Sequence, residues 1–298
     1  MTQKATEELA LSTALVGRKL RSITREVTWR DTTNYAAAVA DPNPMYLDDS
    51  QPAGLVAPPL FAVALTWPLA VDLPQQWGEL MPPEVVARMV HAQEHLIFHR
   101  PVRPGDVLTL TGECAALVPI EAGTLLYLHI DARDRDGEPV FTEFSTPLFR
   151  GVSCPDGPKG KNNLPHIPPL AESSSALWRV EEPISREASF LYDGCTDIVF
   201  PIHTSTSFAR TVGLPDIILQ GTATLAKAAR EIVNREAGGQ PARLKELACR
   251  FVGMVAPDSE IGIEMTARES ADERTLLGFR VTNGRGAAAI SHGFAKVE

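Results

Sequence analysis

"EHLIFHRPVRPGDVLTLTGE", residues 94–113, and "ACRFVGMVAPDSEIGIEMTARE", residues 248–269, follow one plan. Each reads as an apolar strand that breaks at a Pro-marked turn and resumes as a second strand. Working outward, the flanking segments match in the same order. Upstream lie two polar leads into a helix, "VTWRDTTNYAAAVADPNPMY" (27–46) and "ISREASFLYDGCTDIVFPIH" (184–203). Each is followed by an apolar helix, "GLVAPPLFAVALTWPLA" (54–70) and "ILQGTATLAKAAREIV" (218–233). Downstream come two hairpins, 124–149 and 275–297, whose "RDGE" and "TNGR" carry the Asp-Gly and Asn-Gly signals of tight turns. Asp41 precedes Pro104 by 63 residues and Asp197 precedes Pro257 by 60. Four elements in matched order and spacing define a repeat. The expected fold class is α+β, one long helix wrapped by an antiparallel sheet, twice.

The segment 151–175, "GVSCPDGPKGKNNLPHIPPLAESSS", is rich in Pro, Gly, Asn and Ser without hydrophobic period. It predicts a surface linker between units 1–150 and 176–298. A net charge of −9 argues against a general nucleic-acid partner. No apolar run approaches the ~20 residues of a bilayer span, so no membrane partner is expected. The first twenty residues predict an amphipathic helix rather than a signal peptide. Four scattered cysteines without a CxxC pair point away from disulfides or zinc and toward a reducing cytoplasm.

The motifs "YAAAVADPNPMYLDD…GLVAPPLF" and "FHRPVRPGDVLTL" resemble the N-terminal half of MaoC-like double hotdog dehydratases. The second half resembles the R-specific enoyl-CoA hydratase motif, an Asp, then Asn-Pro, then His, with a helix-opening glycine beyond. The resemblance implies a double hotdog fold whose two antiparallel sheets, each wrapped around a central helix, join edge to edge. The linker then substitutes for the dimer of single-hotdog relatives. It also implies an acyl-CoA substrate, no cofactor, and room for a homodimer.

Hydrating a 2-enoyl thioester requires a deprotonated water at the β-carbon, a proton at the α-carbon and a donor to the thioester oxygen. His203 is the natural acid/base, Asp197 would share the water, and the family position of the oxyanion donor carries over to Gly221. The family places its histidine five positions after the aspartate, whereas His203 is six after Asp197. Ile198 takes the strict aspartate position and Phe200 the asparagine position. Either the loop carries an extra residue and bulges, or the acid has been lost. In the first half Tyr46 replaces the histidine, and Pro58 and Pro59 lack the N–H of a donor. That half is expected to be a degenerate, pocket-shaping partner, with Asp41 and Asn43 serving as turn and cap residues.

Other candidates have plainer readings. His91, His95 and His99, four apart, would share a strand face about 13 Å per step apart, too far for one metal. They are expected to be surface or pocket-wall residues. His129 and His292 read as lone structural histidines, and His166 as solvated. Cys195 reads as a small buried thiol, and Thr204, Ser205 and Thr206 as caps. Arg100, Arg103 and Arg210 are candidate phosphate contacts. The leading function is reversible hydration of a 2-enoyl thioester. Alternatives are a thioesterase, a specialised thioester lyase or isomerase, and a non-catalytic acyl-thioester binding subunit.

Overall fold

In the computed structural model, which describes residues 9–271 and 274–298, five strands and five helices come from the first half. In chain order these are β1 (Ile23–Glu26), α1 (Trp29–Ala38), α2 (Pro44–Leu47), α3 (Phe61–Val71), α4 (Leu73–Trp77), α5 (Pro83–Val86), β2 (Met89–Phe98), β3 (Val107–Ile120), β4 (Gly123–Arg133) and β5 (Pro139–Arg150). The second half gives β6 (Trp178–Ile184), α6 (Ala188–Thr196), α7 (Thr206–Thr211), α8 (Gly221–Glu236), β7 (Leu244–Phe251), β8 (Ser259–Ala271), β9 (Arg274–Thr282) and β10 (Ala288–Val297).

All ten strands form one antiparallel sheet in the order β1-β3-β4-β5-β2-β7-β10-β9-β8-β6. Each half contributes the same five-strand order, one the reverse of the other. They meet where β2 pairs with β7, from Gln93 opposite Arg250 to Ile97 opposite Glu246. Each aligned stretch thus begins within a seam strand, β2 or β7, and runs on into β3 or β8.

Helix α1 begins at a capping box in which the Thr28 side chain accepts from Asp31 N–H and the Asp31 carboxylate accepts from Thr28 N–H. Helix α3 is apolar on nearly every side and buries Phe61 through Thr66 together with Leu69, as a central helix inside a curled sheet must. Its counterpart α8 buries Thr222 through Ala229. Buried Lys227 and part-buried Arg230 both pair with Glu182 of β6.

Two expectations change. Residues 9–20 form β-bridges at Ala10 and Lys19 and a single 3-10 turn at Thr13–Leu15 rather than an amphipathic helix, and residues 1–8 lie outside the described residues. The hairpin loops are five residues long, 134–138 and 283–287, not two-residue turns. In both, the first residue's side chain (Asp134 or Asn283) accepts two backbone N–H groups, and the fourth residue (Gly137 or Gly286) has positive φ. The shared signal is an Asx residue followed three positions later by glycine, so the Gly284 of "TNGR" is incidental. No helix among the described residues is long and apolar enough to cross a membrane.

Candidate active site

Helices α1 and α6 pack together, and the Tyr35 and Tyr192 hydroxyls meet at 2.8 Å. Measured from these tyrosines the two loops have equal length: Tyr46 follows Tyr35 by eleven residues, and His203 follows Tyr192 by eleven. The left-handed residue closing each helix falls at the same place, Ala40 (φ 52°) and Asp197 (φ 56°). Asp197 therefore stands where the first half has Ala40, and Ile198 stands where it has Asp41. Asp41 and Ile198 are both buried, at 3% and 4% exposure. The second loop has no extra residue. Asp197 is exposed, its side chain makes no hydrogen bond among the described residues, and its charge acts on Asp193, raising that carboxyl's pKa after burial has done so. Among the described residues Asp197 makes no hydrogen bond to His203, and isoleucine occupies the position that Asp41 holds in the first half.

His203 ends a 3-10 turn, Pro201–His203, and its ring is held by the segment leading to α8. Ile218 clasps the loop twice, its N–H donating to Ile202 O (3.4 Å) and its carbonyl receiving His203 Nδ1 (2.9 Å). A carbonyl only accepts, so Nδ1 carries the proton and Nε2 presents a lone pair. Burial pulls the imidazole below its ordinary pKa, against the opposing effect of the Ile218 bond, and keeps it neutral at pH 7. Three residues beyond Ile218, Gly221 opens the sixteen-residue α8 with no side-chain cap. Its N–H belongs to the first turn, where amides lack intrahelical acceptors. A β-carbon on Gly221 would lie 3.1 Å from Phe251 Cδ1, so the glycine keeps the approach to the helix end narrow but open. Ser205 caps α7 by accepting from Phe208 N–H, as the loop's hydroxyls predicted.

The corresponding cleft of the first half is shut. Phe61 N–H and Ala62 N–H are consumed by the carbonyls of Pro58 and Pro59. Tyr46 is fully buried beside Ala36 and Val56, with an unpartnered hydroxyl. Asp41 accepts from Asn43 N–H and Asn43 caps α2, while its amide donates to Gly239 O. What remains is a pocket of about 20 Å³ walled by Pro58, Pro59, Phe98 and Leu244.

From the first half, His91 packs on Phe251 of β7 and Glu94 pairs opposite Cys249. A bulge between His91 and Gln93 in the β2–β5 ladder turns His91 onto the same inner face as Glu94. His95 faces outward to Glu246 and Phe144, and exposed His99 lies beyond the strand. The expectation that the three histidines share a face is corrected by this single extra residue. The His91 ring packs on Phe251 at 4.8 Å between centroids. Its Nε2 lies 3.0 Å from Gln93 O and 3.1 Å from Glu94 Oε2. Glu94 and Glu143 are 0% and 1% exposed; Glu94 Oε1 and Glu143 Oε2 lack hydrogen-bond partners, and Glu94 Oε2 meets only His91. Burial raises both carboxyls well above the usual range, and for Glu143 the neighbouring Glu94 adds to it.

Among the other candidates, Arg100 is committed to Asp106 and Asp134 and is not free for a phosphate. Arg103 donates to Ala53 O, and Arg210 is exposed on α7. His129 stacks on Phe144, and His292 is exposed at a bulge of β10. Cys195 is only half-buried. No cluster of metal-binding side chains occurs among the described residues.

A continuous ten-strand antiparallel sheet with two central helices defines a double hotdog protein. Residues 14–143 match the model of the FAS1-like dehydratase domain region, and residues 173–286 match the MaoC like domain. The chain belongs to the MaoC-like dehydratase family. It is 24% identical over 211 residues to a probable enoyl-CoA hydratase 2 of Dictyostelium discoideum, covering 70% of each chain. It is 30% identical over 153 residues to a UPF0336 protein of Streptomyces avermitilis, covering 48% of this chain and 98% of that one. A MaoC-like dehydratase from Phytophthora capsici has the same fold, with a TM-score of 0.80 at 22% identity, covering 95% and 97% of the two chains.

Proposed function

We propose that the chain adds water reversibly across the 2,3 double bond of an enoyl thioester, CoA-linked rather than carrier-linked. The observation that supports this reading is the His203–Ile218 bond, which ties a neutral imidazole to the segment three residues ahead of the helix that Gly221 opens. The relatives named as enoyl-CoA hydratase 2 support the substrate class.

In this reading the Gly221 N–H receives the thioester oxygen as it gains negative charge. His203 Nε2 takes one proton from the water whose oxygen bonds C3. The resulting imidazolium returns that proton to C2, so one water is consumed and the base is regenerated. The closed first-half cleft leaves one working site per chain.

The test is loss of the enoyl absorbance of crotonyl-CoA and longer 2-enoyl-CoA esters, with His203→Ala as control. Hydration that survives this substitution, or absence of hydration at every chain length, rejects the assignment. One observation favours a second reading: Ile198 in the acid position leaves a single base and a donor, a set that also suits attack on the carbonyl. Free thiol release measured in the same cuvette separates thioester hydrolysis from hydration.

A further inference from the structure

With Asp197 exposed and Ile198 in the position of Asp41, the loop offers no second group to hold the other hydrogen of the attacking water. His91 is chemically suited to that role. It reaches the cleft from the other half, its side chain is 29% exposed, and its ring leans on the same Phe251 ring that borders Gly221. Its Nε2 is occupied by Gln93 O, again a pure acceptor, so Nε2 carries the proton and Nδ1 is a free lone pair. His91 and His203 are therefore set alike, each fixed by a backbone carbonyl on one nitrogen and presenting the other as an acceptor.

The surroundings of His91 are unlike those of its counterpart. Phe98 and Phe251 correspond in the repeat, which places Leu244 at the position of His91 and Leu247 at that of Glu94. At the first half's pocket, which Leu244 lines, those positions are leucines; next to the Phe251 ring that borders Gly221 they are an imidazole backed by a buried carboxyl. Around His91 the facing groups are Glu94 on its own strand, Glu143 and Ser145 from β5, and Phe251 from β7, with Cys249 paired opposite Glu94. A carboxyl at 0% exposure whose Oε1 is unpartnered and whose Oε2 meets only an imidazole has no value to a core. Placed behind an imidazole it fixes the ring's orientation, as carboxylates do behind functional histidines.

We propose that His91 is a second catalytic histidine of the hydration site: its Nδ1 accepts a hydrogen bond from the attacking water while His203 removes the other proton, and Glu94 is its positioning residue. The water oxygen bonds C3, one hydrogen passes through His203 to C2, and the other stays on the new 3-hydroxyl, held by His91. This role rests on the hydro-lyase reading.

The experiment is the pH dependence of kcat/KM for crotonyl-CoA hydration by the wild type, His91→Gln and Glu94→Gln. Two histidines that must both be neutral give an acid limb of limiting slope two on a logarithmic plot. His91→Gln is expected to lower kcat by about 10²-fold, with KM little changed and the slope reduced to one. Glu94→Gln is expected to keep a slope of two with a smaller loss. Thermal melts identify variants that fold as the wild type does; if His91→Gln does not, His91→Asn replaces it. A folded His91 variant with wild-type kcat and slope overturns the role. A wild type that hydrates no enoyl thioester removes the reaction and this role with it, a result distinct from an active enzyme indifferent to residue 91.

Discussion

The hydroxyls of Tyr35 and Tyr192 meet 2.8 Å apart, both residues fully buried, where the first helices of the two halves pack together. Equivalent residues of the repeat thus touch each other at its internal symmetry axis. Tyr35→Phe removes that bond at a cost of about 1 kcal/mol. Because the two hydroxyls form one interaction, the double Phe variant is expected to lose less than the sum of the single variants. Urea unfolding of the three proteins measures it.

Asp197 matches Ala40 in backbone conformation and is exposed. Asp197→Asn should therefore leave hydration within about twofold of wild type, the range of a surface change of ~0.5 kcal/mol. A loss of a hundredfold would place the carboxylate in the chemistry.

Gly221 permits a test of the N–H alone. Proline is tolerated at the first helical position, and Gln220 already has the extended conformation (φ −59°, ψ 135°) that proline requires before it. Gly221→Pro is expected to keep the fold and lower kcat by about 10²–10³-fold, as loss of an oxyanion donor does. Gly221→Ala, which keeps the N–H and meets only the Phe251 ring, should retain much more activity. Steady-state kinetics with circular dichroism of both variants decides between donor and spacer.

Stability should fall on both sides of a pH window. Burial depresses the pKa of His91 and His203, so below about pH 6.5 the unfolded chain binds protons that the folded one refuses, and stability drops as pH falls. Glu94 and Glu143 are raised, so above about pH 4.3 the unfolded chain releases protons the folded one retains. Stability from these two is lost as pH rises through their folded pKa values. Glu94→Gln should accordingly raise Tm at pH 8 and change it little at pH 5, read from melts across pH 5–9.

Glu182 joins Lys227 and Arg230 of α8, and Arg230 continues to Val39 O in the first half. Glu182→Ala leaves two cations with little water and should cost about 3–5 kcal/mol. Replacing Glu182 and Lys227 together by apolar residues should recover part of that loss in the same denaturation assay.

The repeat was legible because its strands and turn residues recur in order, and the two halves of the sheet follow from it. The hotdog architecture came through the resemblance of "YAAAVADPNPMY" and its neighbours to a family. His203 and Gly221 were readable for the same reason. The loop register was not: counted back from His203, an aspartate one place early looks like a bulge, and only the tyrosine contact shows the two loops to be equal in length. His91 was misread because a bulge inverts the alternation of inward and outward side chains. Nothing in "VHAQEH" announces where a strand gains a residue. Glu94 and Glu143 carried a fainter mark, each an acid within a strand otherwise rich in apolar residues.

The β2–β7 seam has a consequence for dilution. A cleft that draws His203 from one unit and His91 from the other would, in separate chains, fall apart as concentration drops. Here both units belong to one molecule, and tethering holds them at an effective concentration of order millimolar or higher. The second unit can never be parted from the first. That permanence holds His91 of β2 against Phe251 of β7 at any protein concentration.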